Sequence, residues 1–415
     1  MMHPVLRLVF GALDDEHILY CVLRDADRID DVTEGEIDLL VAPEQWRRFE
    51  AVLARVGFVS LPSRGHAPHR FYVAYHADTD TWFKIDAVDE LAYGRPIKTL
   101  RTGLAGDCLA QRIRVGTVWG LAPEYEIITL LLHEVLDKGR FDPARAGRLQ
   151  ALAADAQDSP LMRELVAAHW APGMDWDAVR AHIAVGEWSA LLDQAPEVAA
   201  RLRARDPWGA RWRRVTNRAL RWLDRWARLL RPLVPSIAVL GPDGAGKSTV
   251  ADGIQDASLF PVRRVYMGLY QKRHKRTAPV PGIGFARLLL TQWRRYLSAR
   301  YHQAAGRLVI FDRYTYDALL PAPRPLNLPR RIRRWLLAHL CPPPDLVVLL
   351  DAPAEVLYAR KGEHGVEALD RQRQSYLALQ QRIPQMVVVD ATQGIESTRR
   401  CVSSLIWQTY VRRSR

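Results

Sequence analysis

Nine consecutive residues, Gly241-Pro242-Asp243-Gly244-Ala245-Gly246-Lys247-Ser248-Thr249, have the types and spacing to hold phosphate. They fit the pattern Gly-x-x-x-x-Gly-Lys-Ser/Thr, which is specific when a buried strand enters it and a helix leaves it. The flanking SIAVL and VADGIQDA predict that strand and that helix. Gly244 and Gly246 let the backbone approach phosphate oxygens, so successive amides form an anion nest. The helix N-terminus adds its partial positive charge. Lys247 has the reach for β- and γ-phosphates, and the Ser248 hydroxyl is an Mg²⁺ ligand. The competing reading is a glycine-rich turn that binds nothing.

Further chemistry sits at the ends of later apolar runs. RLVIFDRY puts Asp312 and Arg313 at the carboxyl end of a buried strand, and DLVVLLDAP does the same for Asp351. In doubly wound sheets ligands bind at that edge. A carboxylate there holds Mg²⁺ through water, and Arg313 suits a bidentate grip on an acceptor phosphate. Ala359-Arg360-Lys361-Gly362-Glu363-His364-Gly365 has the make-up of a basic lid over a transferring phosphoryl group, with Arg371 and Arg373 on the helix that follows. Each of these arginines taken singly is equally consistent with solvated surface.

These residues need a scaffold, and from residue 236 onward short β-branched runs alternate with helical stretches. That rhythm predicts a parallel sheet covered by helices on both faces. Residues 236–415 resemble the thymidylate kinase group of nucleoside monophosphate kinases. The matching pieces are GPDGAGKST, Asp312-Arg313-Tyr314, PDLVVLLDAP at 344–353, the RQRQSY helix segment and the closing VVVDATQ strand. The resemblance implies a five-stranded P-loop kinase domain over 235–415, ATP and Mg²⁺, and phosphoryl transfer. It also implies that Asp243 faces the acceptor, that Asp312 and Arg313 face Mg²⁺ and the acceptor phosphate, and that Arg360 and Lys361 clamp the donor. The loop at Ala391-Thr392-Gln393 would lie near adenine, and a homodimer is a further implication. Where that group carries Arg-Glu-Pro-Gly-Gly after its second strand, this chain has Tyr266-Met267-Gly268-Leu269-Tyr270-Gln271-Lys272-Arg273, then His274-Lys275-Arg276. The acceptor pocket is therefore expected to differ.

The front of the chain reads differently. Gly35-Glu36-Ile37-Asp38-Leu39-Leu40-Val41 places two carboxylates two apart on a strand, so both point to one face. Asp86, on TWFKIDAV, is a third from a neighbouring strand, and RFYVAYH and TWFKIDAV read as a hairpin turning at Asp78-Thr79-Asp80-Thr81. Three such acids are what two-metal nucleotidyl transfer requires. Residues 1–122 resemble the nucleotidyltransferase-like superfamily, with the Ala- and Leu-rich stretch 123–206 as a helical companion. The Gly-Ser pair of that superfamily would fall near Leu23-Arg24-Asp25 and is absent. The alternative is a domain that recognises a substrate or partner. His133 reads as a core or capping histidine.

Between them, residues 207–234 form a basic linker. Trp208, Trp212, Val215, Ala219, Trp222, Trp226 and Leu229 recur at alternating steps of four and three, so they share one helical face, and arginines fill much of the rest. Pro232 and Pro235 end the helix. Either this stripe packs on a domain, or residues 207–231 lie on an anionic membrane surface.

Charge divides the chain the same way. Of its 415 residues, 1–206 carry 23 Lys and Arg against 32 Asp and Glu, net −9, whereas 207–415 are net +22. Basic protein attracts anions, but no nucleic-acid-binding module accompanies the charge, which argues against nucleic acid and for a small phosphorylated or anionic acceptor. Four cysteines without Cys-x-x-Cys spacing exclude a disulfide framework. The opening stretch lacks the apolar run of a secretory leader and no window suits a membrane span, so the cytoplasm is expected, with the inner membrane face as a peripheral location. Three functions are compatible with these features: a kinase, a nucleotide-dependent membrane switch or scaffold, and a bifunctional kinase and nucleotidyltransferase.

Overall fold

The computed structural model describes residues 2–269, 283–322, 325–362 and 365–414, so the basic stretch Lys272–Arg276 and Glu363-His364 of the lid lie outside the described residues. The chain is mixed α/β and divides into two compact units. One comprises Met1–Ala74 and Trp82–Asp224, the other Tyr75–Thr81 and Arg225–Arg415.

The first unit is built on a seven-stranded mixed sheet of order β3-β4-β5-β2-β1-β9-β8. Its strands are β1 (Tyr20–Val22), β2 (Gly35–Val41), β3 (Val59–Leu61), β4 (Arg70–His76), β5 (Thr81–Val88), β8 (Ile113–Val115) and β9 (Val118–Gly120); β6 (Ala92–Tyr93) and β7 (Leu100–Arg101) pair separately. Two helices, α1 (Pro4–Asp15) and α2 (Trp46–Arg55), cover one face, where Leu6, Phe10, Phe49 and Leu53 meet Ile37, Leu39 and Val41. A helical layer covers the other: α3 (Ala105–Ala110), α4 (Pro123–His133, continued by a wider turn to Lys138), α5 (Pro143–Asp155), α6 (Pro160–His169), α7 (Trp176–Val185), α8 (Trp188–Leu192) and α9 (Ala195–Arg205). Alternation along β2 assigns the carboxylates. Ile37, Leu39 and Val41 belong to the α1/α2 core, so Glu36 and Asp38 point with Leu40 toward the helical layer.

Residues 207–230 form one 24-residue helix, α10 (Pro207–Leu230). Among the described residues most of its aromatic stripe faces outward. Trp208 is 80% exposed and Trp212 69%, while Ala210, Asn217 and Asp224 are buried. The polar edge is the one that finds partners. Arg213 bonds Asp206 and the Thr99 carbonyl, and Arg221 donates to the carbonyls of Gly65 and Pro96 at 2.8 and 2.9 Å. Loop carbonyls demand donors, and an arginine fork offers five N–H groups on a long stem where an indole offers one.

The second unit holds a five-stranded parallel sheet of order β11-β12-β10-β13-β14. Its strands are β10 (Ser236–Leu240), β11 (Val262–Tyr266), β12 (Leu308–Asp312), β13 (Leu346–Asp351) and β14 (Met386–Asp390). Runs such as SIAVL are buried along their whole length, as central strands covered on both faces must be. The helices are α11 (Lys247–Ala257), α12 (Ile283–Ala304), α13 (Leu328–His339), α14 (Ala354–Lys361), α15 (Val366–Leu377) and α16 (Ile395–Ser414). Strand order reverses direction at β10, so a crevice opens at its carboxyl end, beside those of β12 and β13. Among the described residues no helix is long and apolar enough to cross a membrane.

Candidate active site

The loop between β10 and α11 leaves the centre of the parallel sheet. Gly244 has φ +88°, and a Cβ there would lie 2.6 Å from the Leu357 carbonyl oxygen. Only glycine permits that approach. Gly246, at φ +86°, precedes α11 without a side-chain cap, so the first amides of α11 are left for a ligand.

A cavity of about 640 Å³ opens over this loop. Asp243, Gly244, Ala245, Gly246, Lys247, Ser248 and Thr249 line it, with Asp312 and Arg313 from the end of β12 and Arg360 and Lys361 from the end of α14. Ala391, Gly394, Ile395 and Thr398 supply another wall. Lys247 Nζ donates to the carbonyls of Gly241 and Pro242, both at 2.8 Å. Burial, helped by the neighbouring Arg313, pulls its ammonium down to about 8. Arg313 donates to Asp243 Oδ1 at 2.9 Å and lies 3.9 Å from Asp317. Its φ of +62° is a left-handed conformation that a non-glycine residue holds only when its surroundings enforce it. Arg360 donates to the Ala391 carbonyl at 2.8 Å, tying the lid helix to the loop after β14.

Three expected residues stand elsewhere. Both Asp351 oxygens are held bidentately by Arg373, at 2.7 and 2.8 Å, and Asp351 is not among the cavity's lining residues. Thr392 turns its amide and hydroxyl to Asp390 and also does not line the cavity. The Gly241 carbonyl faces Lys247. Two residues that the sequence reading passed over stand behind Arg313, outside the cavity lining. Asp317, buried and with its carboxyl pushed up by burial, lies beside Arg313 and accepts a hydrogen bond from Tyr376 at 3.2 Å. Asp317 is brought to Arg313 by the tight turn that follows β12, where Arg313 itself is left-handed and Thr315–Leu319 form a short 3-10 helix; nothing in the sequence around Tyr376 announces it.

With this geometry in hand, two curated relatives are informative. The chain is 36% identical over 115 residues to a probable thymidylate kinase of Thermococcus gammatolerans, covering 25% of this chain and 53% of the relative. It is 30% identical over 119 residues to a probable thymidylate kinase of Thermococcus onnurineus, covering 26% and 56%. The chain thus spans about half the length of the curated relatives it matches. No family model matches it. Part of this chain is kinase-like.

The first unit has its own cavity, about 510 Å³, lined among others by Glu36, Asp38, Asp86, Arg24, His69 and His133. Parallel pairing of β2 with β5 sets Asp38 opposite Asp86. Ligand atoms of Glu36, Asp38 and Asp86 all lie within 4.8 Å of one another, a hard-oxygen set of the kind Mg²⁺ takes. Each carboxylate nevertheless already holds a cationic or hydrogen-bonding partner. Asp38 is paired with Arg24, Glu36 with Lys84 at 2.7 Å, and Asp86 with His69 Nδ1 at 2.8 and 2.9 Å. Burial alone would raise the Asp38 carboxyl, but Arg24 and the surrounding bases hold it below the usual range. His133, which the sequence suggested was a core residue, lines this cavity and meets Arg24 at 3.1 Å; burial pulls its imidazole down to about 4, so it is neutral at pH 7. A cation held by this set would share each carboxylate with a basic or imidazole partner, since only one oxygen of Glu36 and one of Asp38 is engaged by Lys84 and Arg24.

Proposed function

We propose that the second unit is an ATP- and Mg²⁺-dependent phosphotransferase whose acceptor is small and anionic, a nucleoside monophosphate or a phosphorylated or lipid-linked sugar. The observation that carries this reading is the single cavity lined by the Gly244–Thr249 loop, the strand-end pair Asp312 and Arg313, and the lid cations Arg360 and Lys361. Phosphoryl transfer asks little covalent work of a protein and relies on positioning and charge neutralisation. The amides at the start of α11 and the Lys247 ammonium bind the donor phosphates. Arg360 and Lys361 oppose the negative charge on the transferring group. Arg313, held by Asp243, exchanges that carboxylate for an acceptor phosphate and so fixes the line of attack. Ser248 and Asp312 would hold Mg²⁺, which when bound offsets charge on the donor oxygens. The similarity to probable thymidylate kinases supports the reaction class. The Tyr266–Leu269 stretch, without that group's arginine, leaves the acceptor open.

The test is acceptor-dependent ADP release across a panel of nucleoside monophosphates and sugar phosphates. Lys247→Ala should lower the rate by about a hundredfold or more; equal rates for variant and wild type would sink the assignment. For the first unit we take recognition of a substrate or partner over nucleotidyl transfer, because each of its three carboxylates is already engaged by a neighbouring side chain, Arg24, Lys84 or His69. Incorporation of labelled α-phosphate that disappears in Asp38→Asn would reverse that choice.

A further inference from the structure

Large apolar side chains normally reach the surface singly. Here, among the described residues, 16 of the 21 exposed ones fall on three helices, α10, α12 and α13. The arrangement is clearest on the two that lie in the second unit. On α12, Leu290 (62% exposed), Trp293, Leu297 (58%) and Tyr301 (64%) recur at steps of three and four, forming one outward stripe. On α13, Leu328 (68%), Ile332 (50%), Trp335 (59%) and Leu336 form another. The helices are neighbours: Leu337 and Ala338 of α13 pack with Phe285, Leu288 and Leu289 of α12, and Arg333 lies over the Phe285 ring. Both helices therefore have a satisfied inner face and an apolar outer one.

The charge beside these stripes has one sign. Neither helix contains an acidic residue, and the exposed Arg287 and Arg294 on α12 and Arg330, Arg331 and Arg333 on α13 flank the apolar rows. A protein partner with an apolar face would be served as well by mixed charges. Exposed tryptophan and tyrosine bordered by arginine alone instead suit an interface that is apolar below and anionic above. Helix α10 repeats the chemistry, with Trp208, Trp212 and Val215 exposed beside Arg211, Arg214 and Arg218.

We infer that the outer faces of α12 and α13 dock on an anionic lipid bilayer surface, the aromatic and aliphatic rows entering the headgroup boundary and the arginines meeting lipid phosphates. This surface is separate from the cavity over the Gly244–Thr249 loop, and its recognition does not depend on the phosphotransferase reading. The full chain should co-sediment with vesicles of phosphatidylglycerol and phosphatidylcholine in about 0.1 M salt and bind pure phosphatidylcholine vesicles at least about tenfold more weakly. Trp293→Ala combined with Trp335→Ala, both exposed and so tolerable to the fold, should weaken anionic-vesicle binding by about tenfold or more. Lys247→Ala should bind vesicles as wild type does, so lost ADP release and lost docking remain distinguishable. In unmodified protein, brominated lipid should quench tryptophan fluorescence. Indifference to lipid charge, unchanged binding by the double variant, or absence of quenching would each overturn the proposal. So would a stable dimer that the double variant converts to monomer, since a second copy would then be the occupant.

Discussion

The depressed ammonium of Lys247 gives the phosphate site a pH dependence that can be worked out in advance. In the free protein its pKa is about 8, lowered first by burial and then by Arg313. A triphosphate beside the ammonium favours the charged form and returns it toward the ordinary lysine range near 10.4. Donor binding therefore requires a proton on Lys247. Affinity is full below pH 8 and falls as pH rises through it, with the dissociation constant growing as one plus ten to the power of pH minus 8. Between pH 7 and 9 the predicted loss is about tenfold. The donor's terminal phosphate has its titration midpoint at about pH 6, is about nine-tenths ionised by pH 7, and contributes little in that window. Calorimetric titration of a non-hydrolysable ATP analogue, at fixed ionic strength and saturating Mg²⁺, reads this directly. Lys247→Arg, whose charge does not titrate here, should bind more weakly but with a flat profile. A wild-type affinity that changes by less than about twofold from pH 7 to 9 would refute the reasoning, as would the same slope in Lys247→Met.

Three further outcomes follow from the same geometry. Arg313→Lys, which forfeits the bidentate fork, should raise the acceptor KM by about tenfold or more while the donor KM moves little, as steady-state kinetics with each substrate varied would show. Asp351→Asn should leave kcat within about twofold and lower stability by about 1 kcal/mol, because Asp351 is engaged with Arg373 at a partly exposed pair; a collapse of kcat would restore it as a metal ligand. Arg24→Ala strips Asp38 of its partner and should cost about 1–3 kcal/mol in chemical denaturation at pH 7. Because Arg24 holds the Asp38 carboxyl below its ordinary value, that contribution is present above the unfolded pKa, and the deficit should shrink as pH falls through the depressed value.

The parallel sheet was legible because its central strands β10, β12 and β13 are short apolar, β-branched runs buried on both faces, and the nine-residue loop was legible because its chemistry is contiguous. Asp312 and Arg313 could be placed at a strand end from RLVIFDRY alone. What the sequence could not carry were pairings across the fold. Arg373 is 22 residues from Asp351, and only the packing of α15 beside β13 makes them a bidentate pair rather than a lid cation and a metal ligand. Arg24 and Asp38 likewise pair because β1 lies antiparallel to β2. For α10 the periodicity found the aromatic face and gave no sign of which face was buried. A hydrophobic stripe predicts its own geometry, while its partner is a property of what surrounds it; here the carbonyls of Gly65, Pro96 and Thr99 select the arginine edge.

The opposite charges of the two units correspond to opposite treatments of charge at their cavities. In the first, Asp38, Glu36 and Asp86 each face a basic residue at contact distance, so the cavity is balanced before any ligand arrives. A phosphate or a divalent cation entering there competes with these internal contacts for the same side chains, which lowers what either gains. In the second, Lys247 is bound to carbonyls, the start of α11 has no side-chain cap, and Arg360 is held by a carbonyl as well. Carbonyl contacts orient Lys247 and Arg360 without cancelling their charge, while Asp243, 2.9 Å from Arg313 and 3.8 Å from Lys247, offsets part of it. An anion entering this cavity meets four cations, Lys247, Arg313, Arg360 and Lys361, against two lining carboxylates, Asp243 and Asp312, in a setting partly shielded from water, where each interaction is stronger than at the surface. That difference, more than the net charge of either unit, is the ground on which we propose phosphate chemistry for the Gly244–Thr249 loop and recognition for the cavity of β2 and β5.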